Sequence, residues 1–260
     1  MYQNYWGLQE SVFTTAAARE ALKQSPVHIE ALARLDFLLE GQALCGLLLG
    51  PAGSGKTTIL AEFATQIRRR GSLTALVQCG GDEKFVLSRI ATGLRAEGAG
   101  ESSQTWQKIA DRLEEMRLED LTAVLLLDDL DRASEAVLSY VEQLLSIPDA
   151  PLTIVAAARL ESVTRIGSRL LEQVALRIDL APWTEGETCA YLDTSVAKAG
   201  RAQPAFDTAA VKRLFELSGG APRRVNQLAQ LALVAGAGQR LVQIDEATID
   251  AVQEELSLAR

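Results

Sequence analysis

The sequence predicts an α/β fold: a three-layer αβα sandwich in which helices cover both faces of a mostly parallel sheet, followed by a small C-terminal all-α domain. Three observations predict it. The glycine-rich turn Gly50-Pro51-Ala52-Gly53-Ser54-Gly55-Lys56-Thr57 joins the apolar run Cys45 to Leu49 to a helical stretch, which is the strand-turn-helix setting of a phosphate-binding loop. Leu121 to Leu127 is almost continuously apolar and ends on Asp128-Asp129, as expected of a parallel strand that is buried on both faces and delivers acids to the sheet edge. From Trp183 onward only helical periodicity remains, so the alternation of strands and helices gives way to a second, helical domain.

Taken in order, residues 1–25 hold Tyr2, Tyr5, Trp6 and Phe13, much of the aromatic content of a chain that is 5% aromatic, and are expected to pack as a strap. Ser25-Pro26 is a helix start, and Ile29, Leu32, Leu35, Leu38 and Leu39 follow at helical spacing, which predicts a helix over 26–40. The helix after the glycine-rich turn runs from Thr58 to Arg70 and closes on a basic last turn and Gly71. A strand from Leu73 to Gln78 leads into helices around 83–97 and 104–118. Beyond the acidic strand end, Asp131 is expected to cap the next helix, Ser134 to Ser146. The strand Leu152 to Ala157, a short helix and a last strand over 172–180 complete the sheet. Ala181-Pro182-Trp183 is the expected boundary, dividing the chain into 1–181 and 182–260. Thr184 then caps a helix carrying Glu187, the first of four at 185–199, 207–218, 222–236 and 245–257. Gly98-Ala99-Gly100 and Gly236-Ala237-Gly238 read as flexible corners.

Composition narrows the chemistry. At 260 residues and 48% hydrophobic the chain fills a sizeable core, and a net charge of −8 gives no global attraction to nucleic acid or anionic lipid. No run of 18 apolar residues appears and the first residues lack a basic, apolar leader, so a cytoplasmic protein without a membrane span is expected. Cys45, Cys79 and Cys189 have neither metal nor disulfide spacing, and His28 is the sole histidine, which excludes histidine triads and zinc sites built from several imidazoles.

The glycine-rich turn carries the chemistry. Glycines at 50, 53 and 55 turn backbone N–H groups inward, and the helix opening at Thr58 adds its positive end. Lys56 is suited to the β- and γ-phosphates of a nucleoside triphosphate, and Thr57 to a Mg2+ ion that bridges them, with Asp128 completing the metal's surroundings.

With these parts placed, the chain resembles the AAA+ ATPases, and among them the ATPase domain of the general secretion pathway protein A, or ExeA-like, family. Tyr5-Trp6-Gly7-Leu8 stands where that family has Y/F-F/Y-G-L. Residues Ser25 to Leu32 resemble its S-x-x-H-x-E-A-L helix, and Ser218 to Asn226 its S-G-G-x-P-R-x-I-N segment. The resemblance implies an ATP- and Mg2+-dependent conformational switch that forms a homo-oligomer on ATP binding and acts on a protein partner of secretion or envelope-assembly type. Asp129 stands where the family has the glutamate that orients the attacking water; it is one methylene shorter, which leaves the rate of turnover open. Arg159 occupies the place of a polar γ-phosphate sensor and either contacts phosphate or pairs with Asp128 or Asp129. Arg223 matches the second sensor, and Arg177, ahead of Arg165 and Arg169, the arginine supplied by a neighbouring subunit. The family puts the helix of His28 beside the adenine, so His28 contacts the base, orients the helix, or is a plain surface residue. Tyr5 and Trp6 serve the base or the core. Two alternatives stay open: a DNA-associated ATPase resembling transposition helpers, disfavoured by the acidic charge, and a nucleotide-binding scaffold with little hydrolysis.

Overall fold

The computed structural model describes residues 2–96 and 101–258; the expected corner Gly98-Ala99-Gly100 lies outside them. The chain opens with α1 (Tyr2–Trp6), α2 (Thr15–Lys23) and α3 (Pro26–Glu40). Next come β1 (Cys45–Gly50), α4 (Lys56–Arg69), β2 (Leu73–Gln78), α5 (Glu83–Leu94), α6 (Ser102–Leu118) and β3 (Ala123–Asp128). α7 (Glu135–Leu145), β4 (Leu152–Arg159), α8 (Ser168–Glu172) and β5 (Leu176–Asp179) follow, with 3-10 segments at Leu130–Arg132 and Leu160–Ile166. The chain ends in α9 (Glu185–Lys198), α10 (Thr208–Ser218), α11 (Pro222–Gln239) and α12 (Glu246–Leu258). These elements form two compact units: Pro26–Pro51 with Lys56–Leu180, and Met1–Ser25 with Ala52–Gly55 and Ala181–Arg260.

The first unit is the predicted αβα sandwich. Its five strands lie in the order β2-β3-β4-β1-β5, every pair parallel. Because β3 is buried along its whole length, its side chains serve both faces in turn. Leu125 and Leu127 pack in one cluster with Leu87, Ile90, Leu113 and Val141. Leu126 packs in another with Leu35, Leu60 and Phe63. β5 is shorter than expected, since Ser168–Glu172 turns as a short helix and the strand pairs with β1 only from Leu176.

The second unit gathers the four C-terminal helices and the N-terminal strap around one core. Trp6, Leu8, Val12 and Phe13 lie in the same cluster as Leu192, Leu214, Leu228 and Leu233, so the strap expected with the nucleotide-binding domain packs with the helical one. Trp6 is 1% exposed, and its indole N–H donates to the Leu233 carbonyl at 2.7 Å. The Arg201 guanidinium lies 5.0 Å from the ring centroid, a cation-π contact. Burial of Trp6 also corrects the reading of Gly236 to Gly238 as a flexible corner, because α11 continues to Gln239. A Cβ on Gly236 would meet Ile244 Cδ1 at 2.5 Å and Trp6 Cζ2 at 3.0 Å; glycine is used there for close approach, not for a turn.

The Ser218 to Asn226 segment has a physical reason at nearly every position. Gly219 closes α10 in the left-handed conformation. At Gly220, φ is +69 and a Cβ would run into the carbonyl oxygen of Trp183, whose N–H donates to the Gly220 carbonyl at 2.9 Å. Pro222 occupies the first turn of α11, where its missing N–H costs nothing. Asn226 accepts from the Tyr191 hydroxyl and donates to the Phe13 carbonyl, both at 2.7 Å, tying the strap to α9 and α11. Thr184 and Glu187 form a full capping box at the start of α9, as the sequence suggested.

Candidate nucleotide site

The glycine-rich turn follows β1 without a break and opens α4. Gly53 and Gly55 have φ of +81 and +102, values that side-chain-bearing residues seldom adopt. At Gly53 space is short as well: a Cβ would lie 2.7 Å from Arg223 Cβ, and the Arg223 N–H donates to the Gly53 carbonyl at 3.3 Å. A Cβ on Gly55 would touch Leu22 Cδ2 at 3.5 Å. Gly53 and Gly55 thus pack against α11 and α2, with which they share a unit.

Lys56 is folded back over the turn. Its Nζ donates to the carbonyls of Gly50 at 2.8 Å and Pro51 at 2.9 Å. Burial lowers its pKa, while Asp128, Asp129, Asp131 and Glu161 oppose that shift. Ser54 Oγ is buried and has no hydrogen-bond partner among the described residues. A buried hydroxyl without a partner is costly, and its place between Gly53 and Gly55 fits a turn shaped for anionic oxygens. Thr58 is half-buried in the first turn of α4.

Asp128 ends β3 and is 2% exposed. Thr57 Oγ1 donates to its Oδ2 at 2.7 Å and the Asp129 N–H to its Oδ1 at 3.0 Å. Burial pushes its carboxyl above the usual range, against the Thr57 hydrogen bond and the Lys56 charge. No group of three or more His, Cys, Asp or Glu among the described residues could hold a metal ion. A single carboxylate beside a hydroxyl nevertheless suits Mg2+, which commonly takes one or two carboxylates and completes its shell with phosphate and water. Thr57 and Asp128 therefore fit as its protein ligands.

Asp129 adopts the left-handed conformation, φ 51 and ψ 43. Its Oδ2 accepts from Gln78 Nε2 at 2.7 Å and lies 3.8 Å from Arg132 Nη1. Gln78 was missed in the sequence; the available signal was its place as the polar last residue of an apolar strand, and the structure pairs it in register with Asp128. Asp131 is not a helix cap, since Ser134 caps α7. Its side chain is fully buried and receives the Arg159 Nε at 2.8 Å and the Arg159 main-chain N–H at 3.3 Å. Arg159 therefore pairs with Asp131, and not with Asp128 or Asp129 as the sequence reading allowed.

Arg177 sits on the edge strand β5, its side chain 54% exposed and paired with Asp179 at 2.9 Å. His28 is 2% exposed within α3, which removes its reading as a surface residue. Arg223 is exposed at the start of α11. Trp6 is core. Cys45 and Cys79 are buried, and burial pushes both thiols up to about 12, so they are inert.

The sequence profile described as AAA domain matches residues 39–174. The chain belongs to the AAA domain family. It is 27% identical over 246 residues to the general secretion pathway protein A of Aeromonas hydrophila; the match covers 90% of this chain and 45% of that protein, so this AAA chain spans less than half of its relative's length. Among solved structures it is similar to Cdc6p from Pyrobaculum aerophilum, with a TM-score of 0.72 and 19% identity over 94% of this chain and 70% of that one. The Aeropyrum pernix ORC1 protein, solved in complex with DNA, gives 0.65 and 17% over 92% and 69%. Thermotoga maritima RuvB, a Holliday junction branch migration motor, gives 0.56 and 18% over 88% and 68%. At these identities the structural likenesses show the fold. Family membership implies nucleotide binding, and no helix among the described residues is long and apolar enough to cross a membrane.

Proposed function

We propose that the chain is a Mg2+-dependent ATPase that works as an oligomerising conformational switch on a protein partner. The observation that carries the reading is the 2.7 Å bond from Thr57 to Asp128, which brings the start of α4 to the acidic strand end and so supports a shared Mg2+ site there. Bound there by Thr57 and Asp128, Mg2+ would neutralise charge on the β- and γ-oxygens of ATP. Lys56 exchanges its hydrogen bonds to Gly50 and Pro51 for phosphate oxygens, and Ser54 Oγ gains the partner it lacks. Asp129 orients the attacking water, and Arg177 serves a neighbour's site, leaving Asp179 to do so. Residues Ala52–Gly55 group with the helical unit, and Arg223 bonds Gly53 directly, which supports a route by which phosphate occupancy reaches α11. Similarity to the Aeromonas secretion protein favours a protein partner of that pathway type.

The test is ATPase rate per subunit against protein concentration, with and without DNA, for the wild type, Lys56→Ala, Asp129→Asn and Arg177→Ala. The rate should rise with concentration, be unaffected by DNA, and fall on the order of a hundredfold in each variant. Lys56→Ala with unchanged activity would overturn the reading, and activation by DNA would favour a DNA-associated ATPase.

A further inference from the structure

The pairing of Asp131 with Arg159 is not explained by nucleotide binding. Asp131 is a carboxylate with a fully buried side chain, two residues beyond Asp129 in the 3-10 turn Leu130–Arg132. A buried charge of this kind is tolerated only when it is paired and hydrogen-bonded. Both of its oxygens are used: Oδ1 by the main-chain N–H of Arg159 and Oδ2 by its Nε. Arg159 is the last residue of β4, opposite Gly50 in register, and β4 lies between β3 and β1. The pair therefore bolts the turn that follows Asp128 to the end of the neighbouring strand.

What the turn holds is the backbone of Asp129. This residue has φ 51, an uncommon conformation outside glycine that surrounding structure must hold in place. Its carbonyl accepts from the Arg132 N–H at 2.9 Å, and the Leu130 carbonyl from the Ala133 N–H at 3.1 Å. The turn anchored by Asp131 is thus the one that Asp129 opens. At the other end of its side chain, Gln78 holds the carboxylate. Asp129 is one methylene shorter than glutamate, so its reach depends on where this backbone stands.

We infer that Asp131 and Arg159 form a positioning clamp for Asp129, and that Arg159 acts through Asp131 and not as a ligand of the γ-phosphate. The inference rests on the proposed role of Asp129 in orienting water. Breaking the clamp shifts the Asp129 carboxylate while leaving the phosphate turn intact. A displacement of about 1 Å in such a group lowers the rate on the order of a hundredfold.

The experiment uses the full chain with Asp131→Ala, Asp131→Asn, Arg159→Ala, the double variant Asp131→Ala/Arg159→Ala, and Asp129→Asn. Affinities for ATP and ADP, stoichiometry of bound ATP, kcat, KM and thermal midpoint are measured for each. Asp131→Ala and Arg159→Ala should each lower kcat by about tenfold to a hundredfold per bound ATP, with KM and the ATP to ADP affinity ratio within twofold of wild type. The double variant should be no slower than the worse single one, and Asp131→Asn, which keeps an acceptor for Arg159, should recover part of the rate. A fall in the ATP to ADP ratio confined to Arg159→Ala would overturn the inference, because Arg159 would then be reading the γ-phosphate. So would losses that multiply in the double variant, or a loss of kcat matched by loss of bound ATP, which marks simple unfolding. Should Asp131→Ala not fold, Arg159→Ala, which breaks the same pair from the more exposed side, carries the comparison. Asp129→Asn with wild-type turnover would sink the role of Asp129 itself, an outcome distinct from the others.

Discussion

Gly53→Ala separates backbone strain from crowding at the nucleotide turn. Two penalties are expected. Alanine in the left-handed region costs about 1–2 kcal/mol, and φ at Gly53 is +81. A methyl 2.7 Å from Arg223 Cβ also forces the first turn of α11 or the turn itself to move, an overpacking cost of about 1–3 kcal/mol. Together they reach about 2–5 kcal/mol. Gly219 lies in the same unit, has φ +56 and would meet nothing within 4 Å, so Gly219→Ala measures the strain alone. At roughly 2–4 °C per kcal/mol for a chain of this size, calorimetry should find Gly53→Ala lower in melting temperature than Gly219→Ala by about 5 °C. Because the shifted carbonyl belongs to the phosphate turn, ATP affinity should fall at least about tenfold, or 1.4 kcal/mol, in Gly53→Ala and stay within twofold in Gly219→Ala. Equal losses of stability in the two variants would refute the close approach of Arg223 and the argument for Gly53.

Trp6→Ala should destabilise the helical unit by about 3–5 kcal/mol in urea titration, and Trp6→Phe by about 1 kcal/mol for the lost bond to Leu233; a cost below that for the alanine variant would mean that the strap is dispensable. Gln78→Ala should lower kcat about tenfold with unchanged ATP affinity, measured by steady-state kinetics and equilibrium binding, and a parallel loss of affinity would assign Gln78 to binding. Burial raises the Asp128 carboxyl, so it keeps its proton at a pH where an ordinary aspartate, at 3.8, has lost it. Apparent Mg2+ affinity should accordingly fall about tenfold per pH unit below that raised value, and start to fall at higher pH than for an unperturbed carboxylate. Without metal, the sign for stability is the reverse of a paired carboxylate: the folded chain binds this proton more tightly than the unfolded one, so the Asp128 contribution grows as pH falls through the raised value. Titration calorimetry with Mg2+ across that range checks the first statement, and urea midpoints of wild type against Asp128→Ala check the second.

Local chemistry explains which parts of this chain were legible. The glycine-rich turn was readable because its demands are met within eight consecutive residues, Gly50 to Thr57, and β3 because a strand buried on both faces must be apolar throughout. The start of α9 followed from its cap, Thr184. What stayed hidden depends on partners distant in sequence. Gly236 resembles a turn until Trp6, 227 residues from the Leu233 carbonyl it bonds, is placed against it. Asp131 resembles a cap until Arg159, 28 residues on, reaches its carboxylate. The packing of the strap was hidden for the same reason, since the Asn226 bond to the Phe13 carbonyl spans 213 residues.

The aromatic residues of the strap have an optical consequence. The chain has three tryptophans; Trp6 and Trp183 lie in the core of the helical unit, and Trp106 packs against the sheet unit beside Tyr140. Replacing Trp106 with phenylalanine leaves every indole in the unit that also holds Ala52–Gly55. Tryptophan emission of that variant, excited beyond the absorption of Tyr140, then reports from one unit only, without a dye, and offers a direct readout of whether a triphosphate at the turn is felt by the strap and its neighbours.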